Sequence, residues 1–209
     1  MKDIKETMRM ILSSESKAIE AIPVTDGYEA AIDLIVERVH KRGGKVVTSG
    51  MGKAGQIAMN IATTFSSTGT PAVHLHPSEA QHGDLGVVQP NDVLLAISNS
   101  GKTREILELI TLLEGLYSEK IPVIAISGNE NSELSSLADV FLWTGGSEEV
   151  CPLGLTPTTS TTVMTVMGDV LVVGTMNAIN FSAEEYARRH HGGYLGAAAR
   201  NGGMKKGGR

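Results

Sequence analysis

The sequence predicts a doubly wound α/β fold, a five-stranded parallel sheet in a three-layer αβα arrangement, and three observations carry that prediction. The run Val93-Leu94-Leu95-Ala96-Ile97 is continuously apolar. It breaks into Ser98-Asn99-Ser100-Gly101-Lys102-Thr103, and an amphipathic pattern follows at Ile106, Leu109 and Ile110. That is a strand buried on both faces, a tight turn and a helix start. The same succession of apolar run, turn and helical period recurs along the chain, as repeated βα units require. Finally, the composition is 41% hydrophobic but only 4% aromatic, with 24 glycines. A core of Ala, Val, Ile and Leu between closely packed helices and strands fits that balance better than a β-sandwich does.

Taken in order, residues 3–22 place Ile4, Met8, Ile11, Leu12, Ile19 and Ile22 near one helical face, and Pro23 ends the run. Thr25 or Asp26 caps a second helix with Tyr28, Ala31, Ile32, Ile35, Val36 and Val39 on its apolar side, closed by Gly43-Gly44. The first strand is 45–49, and the turn 50–55 opens a helix to about Ser67. A second strand, 71–75, leads into a polar loop from His76 to Gly86, and the third strand is the run at 93–97, whose helix reaches about Leu116. A fourth strand spans 122–126, Ser132 caps a short helix to Leu137, and 140–143 is a fifth strand. After a loop at 146–157, a long helix runs to Asn180, and a shorter one begins at Ala183 and ends at His190-His191-Gly192-Gly193. The expected organisation is one domain over 1–197: N-terminal helices to 42, a βα core at 45–143, and a C-terminal part at 144–197. Residues 198–209 lack apolar periodicity and are expected to form a flexible tail.

The totals narrow the function classes. A net charge of −5 gives no electrostatic support for nucleic acid or an anionic membrane as partner. The single cysteine, Cys151, excludes an internal disulfide and a multi-cysteine metal site, and with no base beside it in sequence it is read as packing. The N-terminal MKDIKETMRMILSSE mixes acids with bases and lacks a continuous apolar core, so no signal peptide is expected. The segment 156–180 is apolar, but Asp169 and a run of Ser and Thr residues make it a buried core helix rather than a membrane span. The expected location is the cytoplasm.

Gly50-x-Gly52-x-x-Gly55 follows a strand and opens a helix, as a dinucleotide fingerprint does. The acid that would hold the ribose is missing, because the second strand ends Val73-His74-Leu75-His76. The glycines are therefore read as a tight turn allowing close backbone approach to another ligand. Lys53 opposes the helix dipole there, and is expected to face water or an anion. Gly101-Lys102-Thr103 is like the end of a P-loop, yet position 96 is Ala where that motif needs Gly. A monophosphate asks for less: the hydroxyls of Ser98, Ser100 and Thr103 with backbone N–H groups supply charge-assisted hydrogen bonds of about 1.5–3 kcal/mol each. Ordinary helix capping uses one such hydroxyl, not three. His82 lies in the loop after the second strand, where open α/β sheets bind ligands. His74 and His76 share a strand face, but paired histidines at a sheet edge are more often hydrogen-bonded than metal-bound.

Together, MGKAG at 51–55, HPSEAQHGDLG at 76–86, SNSGKT at 98–103, EVCPLGLTPTTSTT at 149–162 and HHGGYLG from His190 resemble the sugar isomerase (SIS) family, most closely its arabinose-5-phosphate isomerase branch. The resemblance spans about residues 26–197. It implies a flavodoxin-like sheet, no cofactor, and an enzyme interconverting D-ribulose 5-phosphate and D-arabinose 5-phosphate for 3-deoxy-D-manno-octulosonate and lipopolysaccharide synthesis. It also implies a homotetramer with active sites shared between subunits. Ser98, Ser100 and Thr103 match the family's phosphate loop, with Ser49 and Asn99 beside it. Lys53, His82, Glu105, Glu149 and His190 match positions used for binding and catalysis. The family pattern His-Pro-Gly-Gly reads His190-His191-Gly192-Gly193 here, which leaves His191 as a competitor for the role of His190. Many members continue into a pair of CBS domains, and this sequence is expected to be an isomerase domain without them. Feedback by a downstream sugar acid or its nucleotide derivative at the active site itself is one expectation for that arrangement; a thermal-shift screen with no stabilisation by such compounds would discard it.

Moving a carbonyl between C1 and C2 requires a base tuned towards neutrality and groups that stabilise a cis-enediolate. Glu149 or His190 is expected to shuttle the proton and His190 to assist ring opening, while Lys53 and His82 stabilise oxygen charge. No metal is required for these steps, and zinc captured by His82 would inhibit. Two other readings stay open: isomerisation of a different sugar phosphate, and a non-catalytic module that only senses a phosphosugar.

Overall fold

The computed structural model describes residues 3–200. Two helices, α1 (Ile4–Glu20) and α2 (Gly27–Ile35), precede the first strand, and α2 runs on into a π-helical turn, Val36–Lys41. The βα core follows as β1 (Val46–Gly50), α3 (Gly52–Ser67), β2 (Ala72–His74), α4 (Pro77–Ala80), β3 (Val93–Ile97), α5 (Arg104–Glu114), β4 (Val123–Ser127), α6 (Glu133–Leu137) and β5 (Val140–Trp143). It is completed by α7 (Thr159–Ala178), α8 (Ala183–Arg189) and α9 (Gly193–Arg200). All strands pair in parallel in the order β2-β1-β3-β4-β5. This is the flavodoxin-like doubly wound arrangement that the sequence predicts, and its topological switch point lies between β1 and β3.

The alternation along β3 shows why its strand is apolar throughout. Val93, Leu95 and Ile97 face the core made with α2, α3 and α7, which includes Ile35, Ile61, Phe65, Val163 and Leu171. Leu94 and Ala96 face the opposite core with Ile106, Leu109, Ile110 and Leu113 of α5. Helix α7 is long and apolar enough to cross a membrane by length and composition, yet its buried residues belong to the first core. Small residues let it approach its neighbours closely: a Cβ on Gly168 would come within 2.4 Å of the Ile61 side chain, and one on Gly174 within 2.3 Å of Ile32.

Three details differ from the sequence reading. The segment 76–86 is not a plain loop but carries α4 and a 3-10 turn at Asp84–Val87, started by Pro77 at the first helical position. Helix α9 continues through Arg200, past the expected start of the tail at 198, while residues 201–209 of that expected tail lie outside the described residues. Finally, the amphipathic face of α1 is only partly used. Ala18 is buried against the core, but Ile4, Met8 and Leu12 are 69, 55 and 67% exposed.

Candidate functional site

The carboxyl ends of β1 and β3 flank the switch point, and each continues into a loop shaped by close contacts. Beyond β1, Gly52 has a positive φ of 56°. A Cβ on Gly50 would lie 2.8 Å from the Ala54 backbone, and one on Gly55 would lie 2.6 Å from the Gly50 carbonyl oxygen. The close approach that Gly50 and Gly55 permit is between the two ends of their own turn, whereas a Cβ on Gly52 would meet nothing within 4 Å. The turn starts α3 with Lys53 exposed in the first turn, where its ammonium makes no ion pair among the described residues.

Beyond β3, Thr103 is the N-cap residue of α5, but its hydroxyl does not cap the helix. It lies 2.8 Å from the Ser98 hydroxyl, and Ser98 Oγ accepts from the Gly101 N–H at 3.2 Å. Ser100 Oγ accepts from the Lys102 N–H at 3.2 Å, which leaves the exposed hydroxyl free to donate its own proton. A hydroxyl cluster thus surrounds the first turn of an 11-residue helix whose amides the N-cap side chain leaves open, an arrangement suited to an anion. The loop after β4 braces it: Gly128 N–H and Ser127 Oγ donate to the Asn99 carbonyl at 3.0 and 3.3 Å, and Leu134 N–H donates to the Gly101 carbonyl at 3.1 Å.

Ser49 does not join this cluster. It is fully buried in β1 and its hydroxyl donates to the Leu75 carbonyl at 2.7 Å, so its proton is committed to joining β1 to the residue after β2. Glu105 stands half-buried in the first turn of α5, two residues beyond Thr103, and makes no hydrogen bond or ion pair among the described residues. His82 is exposed just after α4. Thr48 Oγ1 lies 3.4 Å from His74 Nδ1, burial lowers the His74 pKa, and the nearby His76 lowers it further. Among the described residues no group of three or more His, Cys, Asp and Glu side chains is arranged to hold a metal ion.

Glu149 lies beyond β5, at the N-terminus of α7. Its Oε2 accepts from the Thr158 N–H at 2.6 Å, the Thr158 hydroxyl at 2.9 Å and the Ser160 N–H at 3.4 Å, while Oε1 accepts from the Ser160 hydroxyl. Burial works against the charged carboxylate, but these hydrogen bonds from Ser160 and Thr158 outweigh it, and the pKa falls below its ordinary value. The expectation of a base tuned upwards towards neutrality is thus corrected for Glu149, because the donors at the helix start favour its charge. His190 follows α8. Its ring stacks on Tyr186 at 3.7 Å between centroids, and its Nδ1 lies 3.0 Å from the Tyr186 carbonyl oxygen. A carbonyl only accepts, so Nδ1 is the donor in this contact, and in the neutral ring Nε2 is then the nitrogen with the lone pair. His191 is exposed. Cys151 accepts from the Thr156 N–H at 3.2 Å, and with this bond the largest influence its thiol pKa is lowered to about 7.

The structure therefore gathers Ser98, Ser100 and Thr103 into one loop, with Asn99 and Glu105 adjoining it, and sets Lys53 across the switch point. It places Glu149 two strands along the same sheet edge, and leaves His190 bonded to its own helix. Sequence reasoning misses Thr158 and Ser160 as the partners of Glu149, although the run Thr158-Thr159-Ser160 before an apolar helix is a recognisable start signal.

A parallel sheet with a hydroxyl-rich loop at its switch point defines a doubly wound α/β protein whose loop is suited to an anion. The chain belongs to the SIS domain family, whose model matches residues 39–174. It is 50% identical over 195 residues to the arabinose 5-phosphate isomerase KdsD of Escherichia coli K12, an alignment covering 93% of this chain and 58% of that protein. The chain thus spans little more than half the length of the curated relatives it matches. Among solved structures, a Bacteroides fragilis protein described as a candidate phosphosugar isomerase involved in capsule formation is 62% identical with a TM-score of 0.90, over 92% of this chain and all of that one. A protein of Escherichia coli CFT073, solved in complex with arabinose 5-phosphate, is 34% identical with a TM-score of 0.80, over 90% of this chain and 97% of that one.

Proposed function

We propose that this chain is an aldose–ketose isomerase that interconverts D-arabinose 5-phosphate and D-ribulose 5-phosphate, at the entry to 3-deoxy-D-manno-octulosonate synthesis. The observation that carries the reading is the loop 98–103 in a chain half identical to an arabinose 5-phosphate isomerase. The likeness to a structure holding arabinose 5-phosphate supports the same substrate class.

In this reading the phosphate is anchored by Ser98, Ser100, Thr103 and the first amides of α5, with Lys53 supplying a positive charge. Strands lie about 4.8 Å apart, so the loops after β3 and β5 open roughly 10 Å from one another. An open-chain pentose phosphate is of a length to reach from one to the other, which brings C1 and C2 to Glu149. Oε1 of Glu149 accepts one hydrogen bond against three at Oε2, so Oε1 is the oxygen with room for a proton. The C2 proton of the aldose passes to Glu149, a C1–C2 enediolate with its charge on O1 forms, and the proton returns to C1 as the O2 proton moves to O1. Since Glu149 is a weak base, Lys53 and His82 must polarise the oxygens to make C2 acidic enough. His190, through Nε2, assists ring opening and is brought to the site by a neighbouring subunit. A coupled assay on arabinose 5-phosphate against a panel of aldose and ketose phosphates tests the reading; no turnover of arabinose 5-phosphate, or faster turnover of another sugar, overturns it. A sensor would show binding without turnover.

Ser100 gives a sharper check. Its hydroxyl contributes uniform binding, so Ser100→Ala is expected to raise KM about 10- to 100-fold while kcat changes little. Steady-state kinetics read both, and an unchanged KM removes Ser100 from the phosphate site.

The exposed face of α1 supports self-association into a tetramer with shared sites. Ile4, Met8 and Leu12 form one stripe, and an apolar stripe of this kind is normally covered by a partner. Met8→Glu with Leu12→Glu is expected to yield a smaller species in light scattering, with lower turnover. An unchanged mass would show that α1 does not make the contact. The packing of α7 into the core supports a core helix rather than a membrane span, and the cytoplasm is the compartment of the proposed reaction.

A further inference from the structure

Helix α1 lies outside the residues matched by the family model, yet one of its side chains reaches the start of α7. Glu15 Oε1 accepts from the Thr159 hydroxyl at 3.1 Å, and that hydroxyl oxygen in turn accepts from the Val150 N–H at 3.2 Å. Thr159 is 1% exposed and stands between Thr158 and Ser160, the two residues that bind the Glu149 carboxylate. Val150 is the residue after Glu149. One hydroxyl therefore fixes the backbone on both sides of the carboxylate: the chain just beyond it and the helix start that donates to it.

The other Glu15 oxygen, Oε2, is buried without a partner, as is the Ser147 hydroxyl two residues before Glu149. Fully paired buried polar groups are the rule, so two orphans around one loop need a reason. A residue serving only to pack α1 against α7 would be cheaper as an apolar side chain. Nearby, a cleft of about 450 Å³ between α1 and the loop 144–150 is lined by Ser14, Lys17, Ser147, Glu148 and Glu149. The charged groups facing Glu149 in that cleft are Glu148 on its own loop and Lys17 on α1.

We infer that Glu15 is a positioning residue for the isomerisation: through Thr159 it holds Glu149 and its hydrogen-bond donors in the geometry that the proton transfer needs. The inference rests on Glu149 acting in the proposed reaction. Without the link, the 158–160 turn and the chain at Val150 move independently, and displacements near 1 Å at a reacting group are costly.

The test uses the full chain with arabinose 5-phosphate and compares Glu15→Ala, Thr159→Val, the double variant, Thr159→Ser and Glu149→Gln. Glu15→Ala and Thr159→Val are each expected to lose about 10- to 100-fold in kcat with KM little changed. The double variant should fall no further than the worse single one, because both break the same link. Thr159→Ser, which keeps the hydroxyl, should retain most activity. In Thr159→Val, which changes no charge around Glu149, the acid limb of the kcat profile should move to higher pH, as Glu149 loses part of the support for its charge. A lower melting temperature with kcat and the acid limb unchanged would reduce Glu15 to a packing role and overturn the inference, as would additive losses in the double variant. If the wild-type chain does not turn over the sugar, or Glu149→Gln is fully active, the underlying reading fails and this inference with it. If Glu149→Gln is inactive while Glu15→Ala matches wild type, the inference alone fails.

Discussion

Glu149→Gln is expected to lose about 10²- to 10⁴-fold in kcat, the usual contribution of a positioned acid–base group, while KM stays within a few-fold. The substitution keeps size and shape but removes the basic carboxylate and one of its two acceptor oxygens. Glu149 takes hydrogen bonds from the amides and hydroxyls of Thr158 and Ser160. A Gln amide nitrogen would direct its own protons at some of those donors and accept from none. Substrate affinity is spared because the phosphate is held from the loop after β3. Measured kcat and KM decide the matter: near-wild-type turnover removes Glu149 from the mechanism, and an equal loss in both parameters places it in binding as well.

The pH dependence follows from the same bonds. The folded pKa of Glu149 lies below its ordinary value of 4.5. The carboxylate therefore stays ionised down to lower pH than an unsupported one, and the acid limb of wild-type kcat assigned to it should lie below pH 4.5. Linkage gives the stability sign: the contribution is complete above the unfolded pKa and is lost as pH falls through the lower folded value. Glu149→Gln should remove that part of the acid sensitivity of folding.

How far the site can be read in advance differs from residue to residue. The strands announce themselves because a parallel strand covered on both faces must be apolar without interruption, and Val93 to Ile97 is. The hydroxyl loop is legible because Ser98, Ser100 and Thr103 fall within six residues, more than a cap can employ. The bond made by the Ser49 hydroxyl is hidden from the sequence for a physical reason: whether a strand hydroxyl faces a ligand or a carbonyl depends on the neighbouring chain, and Leu75, its acceptor, is 26 residues away. The downward pull on Glu149 is hidden likewise, since its donors come from residues 9 and 11 positions downstream. The period of α1 reveals an apolar face at Ile4, Met8 and Leu12 but is silent about whether the chain itself or another copy covers it.

Gly101→Ala is expected to cause the largest structural loss of any single methylation in the loop, about 2–5 kcal/mol from backbone strain and overpacking together, or of order 10 °C in Tm for a chain of this size. Gly101 has a φ of 63°, in the left-handed region. A Cβ there would also fall 2.1 Å from Ser132 Oγ and 2.4 Å from Ser132 Cβ. Ser132 cannot swing aside freely, because its hydroxyl accepts from the Ser135 N–H and its own N–H donates to Ser135 Oγ, the reciprocal cap that starts α6. The added methyl must therefore push the loop outward, away from α6 and the Leu134 N–H that holds the Gly101 carbonyl. Ser98 Oγ would then lose the Gly101 N–H, and the hydroxyl cluster its shape. KM should rise together with the fall in Tm, which thermal melts and kinetics on the same preparation will show. Adding Ser132→Gly separates the two causes: it removes the collision but not the φ strain, so the double variant should recover part of KM while Tm stays low from the strain and the lost cap. Recovery of neither would mean that the left-handed backbone at Gly101, rather than its contact with α6, sets the geometry of the phosphate loop.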